Sequence, residues 1–334
     1  MSVDEQRVLE MACEAAQAGD NARLLEILEA SPEVVTYKTA TDDTLLGLAC
    51  RSATGDVAIP PVSGTEAQHQ AVDLILEAGA DVNAGTTEAW TPLHTAAMAG
   101  HIDLARRLLR AGASTNGSLY QCQGGSPLAL ALFYAKTEVG RQLAQPAVPD
   151  NLRHAAALGR NLKRFFSGGE FTDAAKEGLD FYRPLLVFPK WNREFSRQEV
   201  LDEALTWAAR NGQCESMASL VQRGAGVNSN AYRGTPLLWA IYGGDLRAIT
   251  WLLDQGADPN LRHDFGGQDH GVRAVALDLA AQHDSVDCVE LLLNRGADPH
   301  IVDGAHGGDA LGWAEFSGAT RAVEVLRKWT GTSK

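Results

Sequence analysis

The stretch that decides the fold is Trp90-Thr91-Pro92-Leu93-His94-Thr95-Ala96-Ala97. Pro92 suits the first turn of a helix, where its missing N–H costs nothing, and Thr91 can cap that turn. The paired alanines at the end of the stretch allow a neighbouring helix to approach closely. Gly100 and Gly112 each fit the left-handed position that ends a helix. Residues 91–112 therefore predict two short helices joined by a tight turn.

The same pattern recurs along the chain with a period near 33 residues. A second copy of its start occurs at Gly234-Thr235-Pro236-Leu237. A Gly-Ala pair, which marks its end, returns at spacings of 33, 112, 32 and 40 residues. Self-similarity of this length is typical of repeat architectures, in which each unit buries its apolar face against its neighbours. The five copies begin at Gly79, Gly112, Gly224, Gly256 and Gly296.

Residues 86–116 resemble an ankyrin repeat almost in full: Thr-Pro-Leu-His, two alanines, a Gly-His break, a Leu-Leu pair and a terminal Gly-Ala. The resemblance implies an all-α solenoid of about nine helix-turn-helix units with inserted loops. Nine units of about 33 residues occupy roughly 297 positions and leave roughly 37 for insertions. The stretches Gly307-Gly308 to Trp313-Ala314 and Phe181-Tyr182-Arg183-Pro184 resemble, more narrowly, multi-repeat ankyrin proteins of bacterial type.

The repeat register predicts where the insertions fall. We expect N-terminal repeats over 4–169 with an insertion at about 51–66, and C-terminal repeats over 199–330 with an insertion at about 263–272. Between them, 170–198 is expected to be an aromatic-rich insertion packed on the stack. Such a segment could line a pocket or repair a degenerate fifth repeat. The aromatic residues in and just before it are Phe165, Phe166, Phe171, Phe181, Tyr182, Phe188, Trp191 and Phe195.

Composition and charge limit the classes of partner. The net charge is −13, from 42 acidic and 29 basic residues, which argues against a nucleic-acid binder because polyanions require clustered cations. The longest apolar run, 128–135, is far too short to span a membrane, and the N-terminal sequence shows no signal peptide. Five cysteines without a CxxC pair indicate reduced thiols in a cytoplasmic protein.

The leading functional hypothesis is a binding scaffold for a protein or peptide. The resemblance implies contact through the concave face and the turn tips, and the face includes two positions just after the paired small residues of each repeat. Read by register, the middle of this row is apolar and aromatic, which is typical of an interaction surface. The candidate binding residues are Met98, Phe133, Tyr134, Leu158, Arg210, Tyr242, His283 and Phe316.

The alternative hypothesis is a cofactor-free cyclase, lyase or isomerase acting on an apolar small molecule. Its pocket would lie between the groove and the aromatic insertion. His283, Tyr242 and Arg210 come from neighbouring units, and a placed His or Tyr could transfer a proton there. No cofactor motif such as a P-loop or Rossmann fingerprint is present. The histidines and aspartates of the last three repeats lack metal-ligand spacing, so we expect neither a metal nor a cofactor.

Overall fold

A computed structural model of the 334-residue chain describes residues 2–51, 64–85, 90–115, 125–144, 151–176, 196–231, 234–263, 273–304 and 306–331. Its regular secondary structure is helical apart from one two-stranded hairpin and two isolated bridges among the described residues. Most of the predicted insertions at 51–66, 263–272 and 170–198 lies outside these residues. The chain divides into two compact units, the described residues up to 144 forming the first and those from 151 onward the second. The domain limits predicted from the sequence stay a prediction.

The first unit consists of four helix pairs. In each pair the chain reverses between the two helices, and the first helices of successive pairs pack side by side. A short 3-10 helix at Pro32–Thr36 follows the first pair. The helices are α1 (Val3–Ala18), α2 (Asn21–Ala30), α3 (Leu45–Ala49), α4 (Glu66–Glu77), α5 (Pro92–Ala99), α6 (Ile102–Arg110), α7 (Pro127–Phe133) and α8 (Thr137–Leu143).

The second unit contains four further pairs and one irregular repeat. The irregular repeat begins with α9 (Leu152–Ala157) and continues through a 3-10 turn at Lys163–Phe165, strands β1 (Phe166–Ser167) and β2 (Glu170–Phe171), and α10 (Asp173–Lys176). The regular pairs are α11 (Arg197–Arg210) with α12 (Cys214–Val221), α13 (Pro236–Gly243) with α14 (Leu246–Asp254), α15 (Ala276–Gln282) with α16 (Val286–Asn294), and α17 (Ala310–Phe316) with α18 (Thr320–Thr330). First helices again pack on first helices and second helices on second helices.

The Thr-Pro-Leu-His stretch starts α5 as its sequence predicts. The backbone N–H of Thr91 donates to Nδ1 of His94 at 3.1 Å, and the opposite ring nitrogen lies 3.0 Å from the carbonyl oxygen of Gly125 in the next repeat. His94 is fully buried, so its ring joins two repeats. Gly100 ends the helix with φ of 83°, and Leu93 is buried in the core. This histidine links the start of α5 to the following repeat.

Asparagine side chains connect successive turns. Asn260 donates from Nδ2 to the carbonyl oxygen of Gly296 and accepts from the backbone N–H of Asp298, both at 2.9 Å. Asn228 makes the same two bonds to Gly256 and Asp258, at 3.1 and 2.9 Å. Asn83 repeats them in the first unit with Gly112 and Ser114, at 3.3 and 2.8 Å. We call this set the asparagine ladder.

The two strands are a departure from an all-helical chain. Phe166 pairs with Phe171 and Ser167 with Glu170, so the hairpin closes with the two-residue loop Gly168-Gly169. Both glycines have positive φ, 58° and 90°, as a two-residue hairpin turn requires. The fifth repeat therefore follows its first helix with a hairpin and the single turn α10, in agreement with its degenerate sequence.

Candidate functional site

The C-terminal ends of the first helices form a row in the second unit, which we call the helix-end row. Arg210 is the last residue of α11, and Tyr242 precedes the last residue of α13. His283 caps α15, and Phe316 is the last residue of α17. Because these helices pack side by side in chain order, the four side chains stand at equivalent helix ends of successive repeats.

Gly243 brings the ends of α11 and α13 together. A Cβ at this position would overlap the backbone carbonyl of Arg210. Only glycine permits this approach, since every other residue carries a Cβ. The contact positions Tyr242 next to Arg210.

Arg210 lies against two aromatic rings of the following repeat. Its guanidinium carbon is 3.9 Å from the ring centre of Trp239 and 4.3 Å from that of Tyr242. The side chain is buried, and the two rings meet at a steep angle with centres 5.8 Å apart. Cation–π contacts contribute about 0.5–1 kcal/mol at exposed sites and about 2 kcal/mol or more when desolvated. Arg210 is therefore a fixed positive charge in the helix-end row.

His283 and Phe316 form the more accessible part of the row. The ring of His283 meets Tyr242 edge-on at a centre distance of 6.4 Å. It borders solvent, yet the surrounding protein atoms lower the pKa of His283 below its ordinary value, which favours the neutral ring. Phe316 is 82% exposed and meets the buried Trp313 edge-on at 6.0 Å. A largely exposed phenylalanine at the end of the row is suited to contact with a partner.

The other four predicted binding residues lie outside the helix-end row. Phe133 and Leu158 are buried, whereas Met98 and Tyr134 are half-buried. Every residue of α7 is buried, which explains why Phe133 faces protein and meets Tyr134 edge-on at 5.3 Å. The expectation of a solvent-facing apolar stripe is therefore wrong at Phe133 and Leu158. Met98, Phe133 and Tyr134 belong to the first unit, and Leu158 follows α9 in the second.

The structure brings together the three residues of the enzyme hypothesis without placing them in a described pocket. Arg210 contacts Tyr242, and Tyr242 contacts His283. Two pockets of about 450 and 700 Å³ are lined by other residues. Within the described ranges, no group of three or more His, Cys, Asp or Glu side chains could hold a metal ion, and no helix is long and apolar enough to cross a membrane.

A buried polar cluster lies near the start of the second unit, and the sequence reasoning missed it. Arg153 of α9 and Glu203 of α11 form an ion pair with Nε and Oε2 at 2.7 Å, and both side chains are at most 4% exposed. Beside them, His154 stacks at a tilt on Trp207, with ring centres 5.6 Å apart. Burial and the charges of Arg153 and Arg160 lower the pKa of His154 to about 3. The cluster joins α9 to α11.

The helix pairs stack through their first helices, and side chain–backbone bonds link their turns. This arrangement defines a repeat scaffold with helical units. Comparison with known protein families identifies the class of repeat. The description "Ankyrin repeats (3 copies)" matches residues 63–152 and 171–263, and "Ankyrin repeat" matches 274–304. The chain belongs to the ankyrin-repeat family. The finer resemblance to bacterial multi-repeat proteins stays a prediction.

Several known proteins share parts of this sequence. Palmitoyltransferase Hip14 of Drosophila melanogaster is 27% identical over 212 residues, which cover 53% of this chain and 33% of that protein. Ankyrin repeat and SOCS box protein 16 of Mus musculus is 35% identical over 147 residues, covering 39% and 29%. The crystal structure of the human ASB11 ankyrin repeat domain is 22% identical, has a TM-score of 0.33, and covers 77% of this chain and 91% of its own. The chain spans about a third of the length of these curated relatives.

Proposed function

We propose that the chain binds a segment of a partner protein through the helix-end row Arg210, Tyr242, His283 and Phe316. Ankyrin repeats are protein–protein interaction scaffolds, which gives the general function. The observation that carries the finer proposal is the run of Tyr242, His283 and the 82% exposed Phe316 at the ends of successive first helices, with Arg210 packed against Tyr242. Aromatic and arginine side chains of this kind supply most of the binding energy in protein interfaces.

The chemistry of the row defines the segment that it would bind. The guanidinium of Arg210 is buried on the rings of Trp239 and Tyr242, so it orders Tyr242 and supplies a positive charge to the row from below its surface. The neutral ring of His283 can donate from one nitrogen and accept at the other. Phe316 offers an apolar surface to an apolar side chain. We therefore expect a peptide segment with a hydrogen-bonding group followed by an apolar residue.

Site-specific photo-crosslinking tests the location of the site. A benzoylphenylalanine replaces Tyr242 or Phe316 in separate variants of the full chain, and crosslinked proteins are identified after irradiation in cells. The matched controls carry the same group at Leu246 and Trp329, two exposed apolar positions on the second helices α14 and α18. The proposal expects the same protein at both row positions and at neither control position. Crosslinks that appear equally at control positions contradict it.

Binding of the purified partner then measures each contribution. Tyr242→Ala and Phe316→Ala should each weaken binding by about 1–2 kcal/mol or more, the range of residues at the centre of an interface. Tyr134→Ala, tested alone and with Tyr242→Ala, shows whether the first unit takes part. A partner that binds the double variant as tightly as the parent chain refutes the assignment, provided that thermal melts of the two proteins agree.

Cytoplasmic placement is a further part of the proposal. Cys13, Cys50, Cys214 and Cys288 are free thiols among the described cysteines. Burial raises the pKa of Cys50 and of Cys288 to about 12, so both are protonated and unreactive at neutral pH. These thiols are compatible with a reducing compartment. Fractionation of cells that express the tagged chain tests the placement.

A further inference from the structure

The hairpin of the fifth repeat opens a cleft in the second unit. The cleft measures about 700 Å³ and lies between the hairpin, the start of α11 and the end of α12. The Gly168-Gly169 turn forms part of its wall, and a Cβ built on either glycine would meet no atom within 4 Å. We call this space the basic cleft. Its lining residues are Lys163, Phe166, Gly168, Gly169, Arg197, Gln222 and Arg223.

The charge of the cleft is opposite to that of the protein. Lys163, Arg197 and Arg223 line it, and no carboxylate is among the described lining residues. None of the three cations forms an ion pair with a described carboxylate. The whole chain, by contrast, carries a net charge of −13. Three cations gathered around one concave space in an acidic protein create a local attraction for an anion.

Arg223 is held in position from two sides. One guanidinium nitrogen donates to the backbone carbonyl and to the side-chain oxygen of Ser219, at 2.6 and 2.7 Å. The guanidinium carbon lies 4.6 Å from the ring centre of Phe166. These contacts use one of the terminal nitrogens and leave the other N–H donors of the fork for a ligand.

Arg197 is fixed in the same manner on the other strand of the hairpin. It donates to the carbonyl oxygen of Gly169 at 3.1 Å, and its guanidinium carbon lies 5.6 Å from the ring centre of Phe171. Phe166 and Phe171 are themselves paired across the strands, with ring centres 5.5 Å apart. The paired rings of Phe166 and Phe171 thus order both guanidinium groups before a ligand binds, which lowers the entropic cost of binding.

We propose that the basic cleft binds an acidic segment of a protein partner, through carboxylate oxygens or a phosphoserine. Ordered guanidinium forks match the two oxygens of a carboxylate or phosphate, and Lys163 adds a point charge. A short acidic segment needs only a few cations, whereas a long polyanion would also meet the net negative charge of the protein. The cleft shares no residue with the helix-end row, so it is a second contact surface that does not depend on the first.

Fluorescence anisotropy with defined probes tests the proposal on the full chain. The probes are a fluorescein-labelled peptide of alternating glutamate and serine, and the same peptide with its central serine phosphorylated. Both should bind, the phosphorylated one more tightly, and affinity should fall as salt screens the charges. The triple variant Lys163→Glu, Arg197→Glu, Arg223→Glu should bind at least about tenfold more weakly. The control Arg7→Glu, Arg110→Glu, Lys328→Glu makes the same change in net charge at exposed positions outside the cleft.

Two further arms test whether binding requires the guanidinium forks of the cleft and an acidic peptide. The double variant Arg197→Lys with Arg223→Lys keeps both positive charges and removes the planar guanidinium groups. This variant should lose part of the affinity for the phosphorylated peptide, and its thermal melt should stay unchanged. Phosphatidylserine vesicles and single-stranded oligothymidylate serve as alternative anions. The proposal is overturned if neither peptide binds, if the control variant loses as much affinity as the cleft variant, or if vesicles or oligothymidylate bind more tightly than the peptides.

Discussion

Replacing Glu203 by glutamine should destabilise the second unit far more than the loss of an ordinary ion pair. Glu203 and Arg153 join α11 to α9 through a contact of 2.7 Å, and their side chains are only 2% and 4% exposed. Glutamine has nearly the same shape, so the packing is retained while the negative charge is removed. The guanidinium of Arg153 then remains in the interior without the carboxylate of Glu203.

The burial of the pair sets the magnitude. Breaking a buried ion pair by removing one partner costs about 3–5 kcal/mol, because the remaining charge stays desolvated. An exposed pair contributes only about 0–1 kcal/mol. Arg321 and Asp284 provide the matched comparison, since the arginine of that pair is 70% exposed. We expect Glu203→Gln to cost several times as much as Arg321→Gln.

Urea unfolding followed by tryptophan fluorescence and far-UV circular dichroism measures both variants. A third protein, Arg153→Met with Glu203→Leu, replaces the pair by apolar side chains and should regain most of the stability lost in Glu203→Gln. The reasoning is refuted if Glu203→Gln stays within about 1 kcal/mol of the parent chain, or if the double replacement is no more stable than the single one.

Three further changes test the core and the buried titratable groups. Leu237 is fully buried in α13, so Leu237→Ala should lower the free energy of unfolding by about 2–5 kcal/mol. The control Leu246→Ala, at a position 38% exposed, should change the thermal melt little. An unchanged melt for Leu237→Ala would contradict the repeat register. Burial is the main cause that lowers the pKa of His154 from 6.5 to about 3. Between these two pH values, His154 gains a proton only in the unfolded state, so the free energy of unfolding falls as the pH drops through that range. His154→Gln should flatten this loss in urea melts compared at neutral and at intermediate pH, whereas the exposed His300→Gln should not. Burial, with smaller contributions from Asp303 and Asp309, raises the pKa of Asp278 from 3.8 to about 7. The folded protein therefore loses stability as the pH rises between these two values. Asp278→Asn should gain stability relative to the parent chain toward neutral pH, and equal pH profiles of the two proteins would count against this assignment.

Local features of the sequence predicted the fold, because a helix start depends on neighbours in the chain. Thr91, Pro92 and His94 fix the start of α5 within one turn, and the structure places each as expected. The asparagine ladder was missed although Asn83, Asn228 and Asn260 all stand four residues after the glycine of a Gly-Ala pair. Their bonds cross from one repeat to the next, so their role depends on a register that the local pattern does not contain.

The site was only partly predictable for the same reason. Register placed Arg210, Tyr242 and His283 near one another, and the structure brings them into contact. It did not show that Phe133 is buried, because burial depends on what surrounds α7 in three dimensions. The Gly168-Gly169 doublet between aromatic residues was a readable hairpin signal, which the helical period of the surrounding repeats obscured.

The basic cleft escaped the sequence because its cations are distant in the chain. Lys163, Arg197 and Arg223 are separated by 34 and 26 residues, and no run of basic residues marks them. Only the replacement of a helix by the hairpin brings them around one space. A sum of charges over the chain, which gave −13, conceals such a local reversal of sign.

The asparagine ladder makes the joint between two turns independent of the side chains of the receiving turn. Each rung joins an asparagine side chain to backbone atoms of the following repeat, as the equivalent roles of Ser114 and Asp258 show. The receiving turn contributes only its carbonyl and N–H groups, so a turn of the same conformation can accept these bonds whatever side chains it carries. The helix contacts between repeats, such as that of Gly243 with Arg210, remain specific to their pair. Duplication, deletion or exchange of a unit therefore preserves the turn joint, while the facing helices must still match. New surfaces can thus arise by recombination of whole repeats, with their joints already in place.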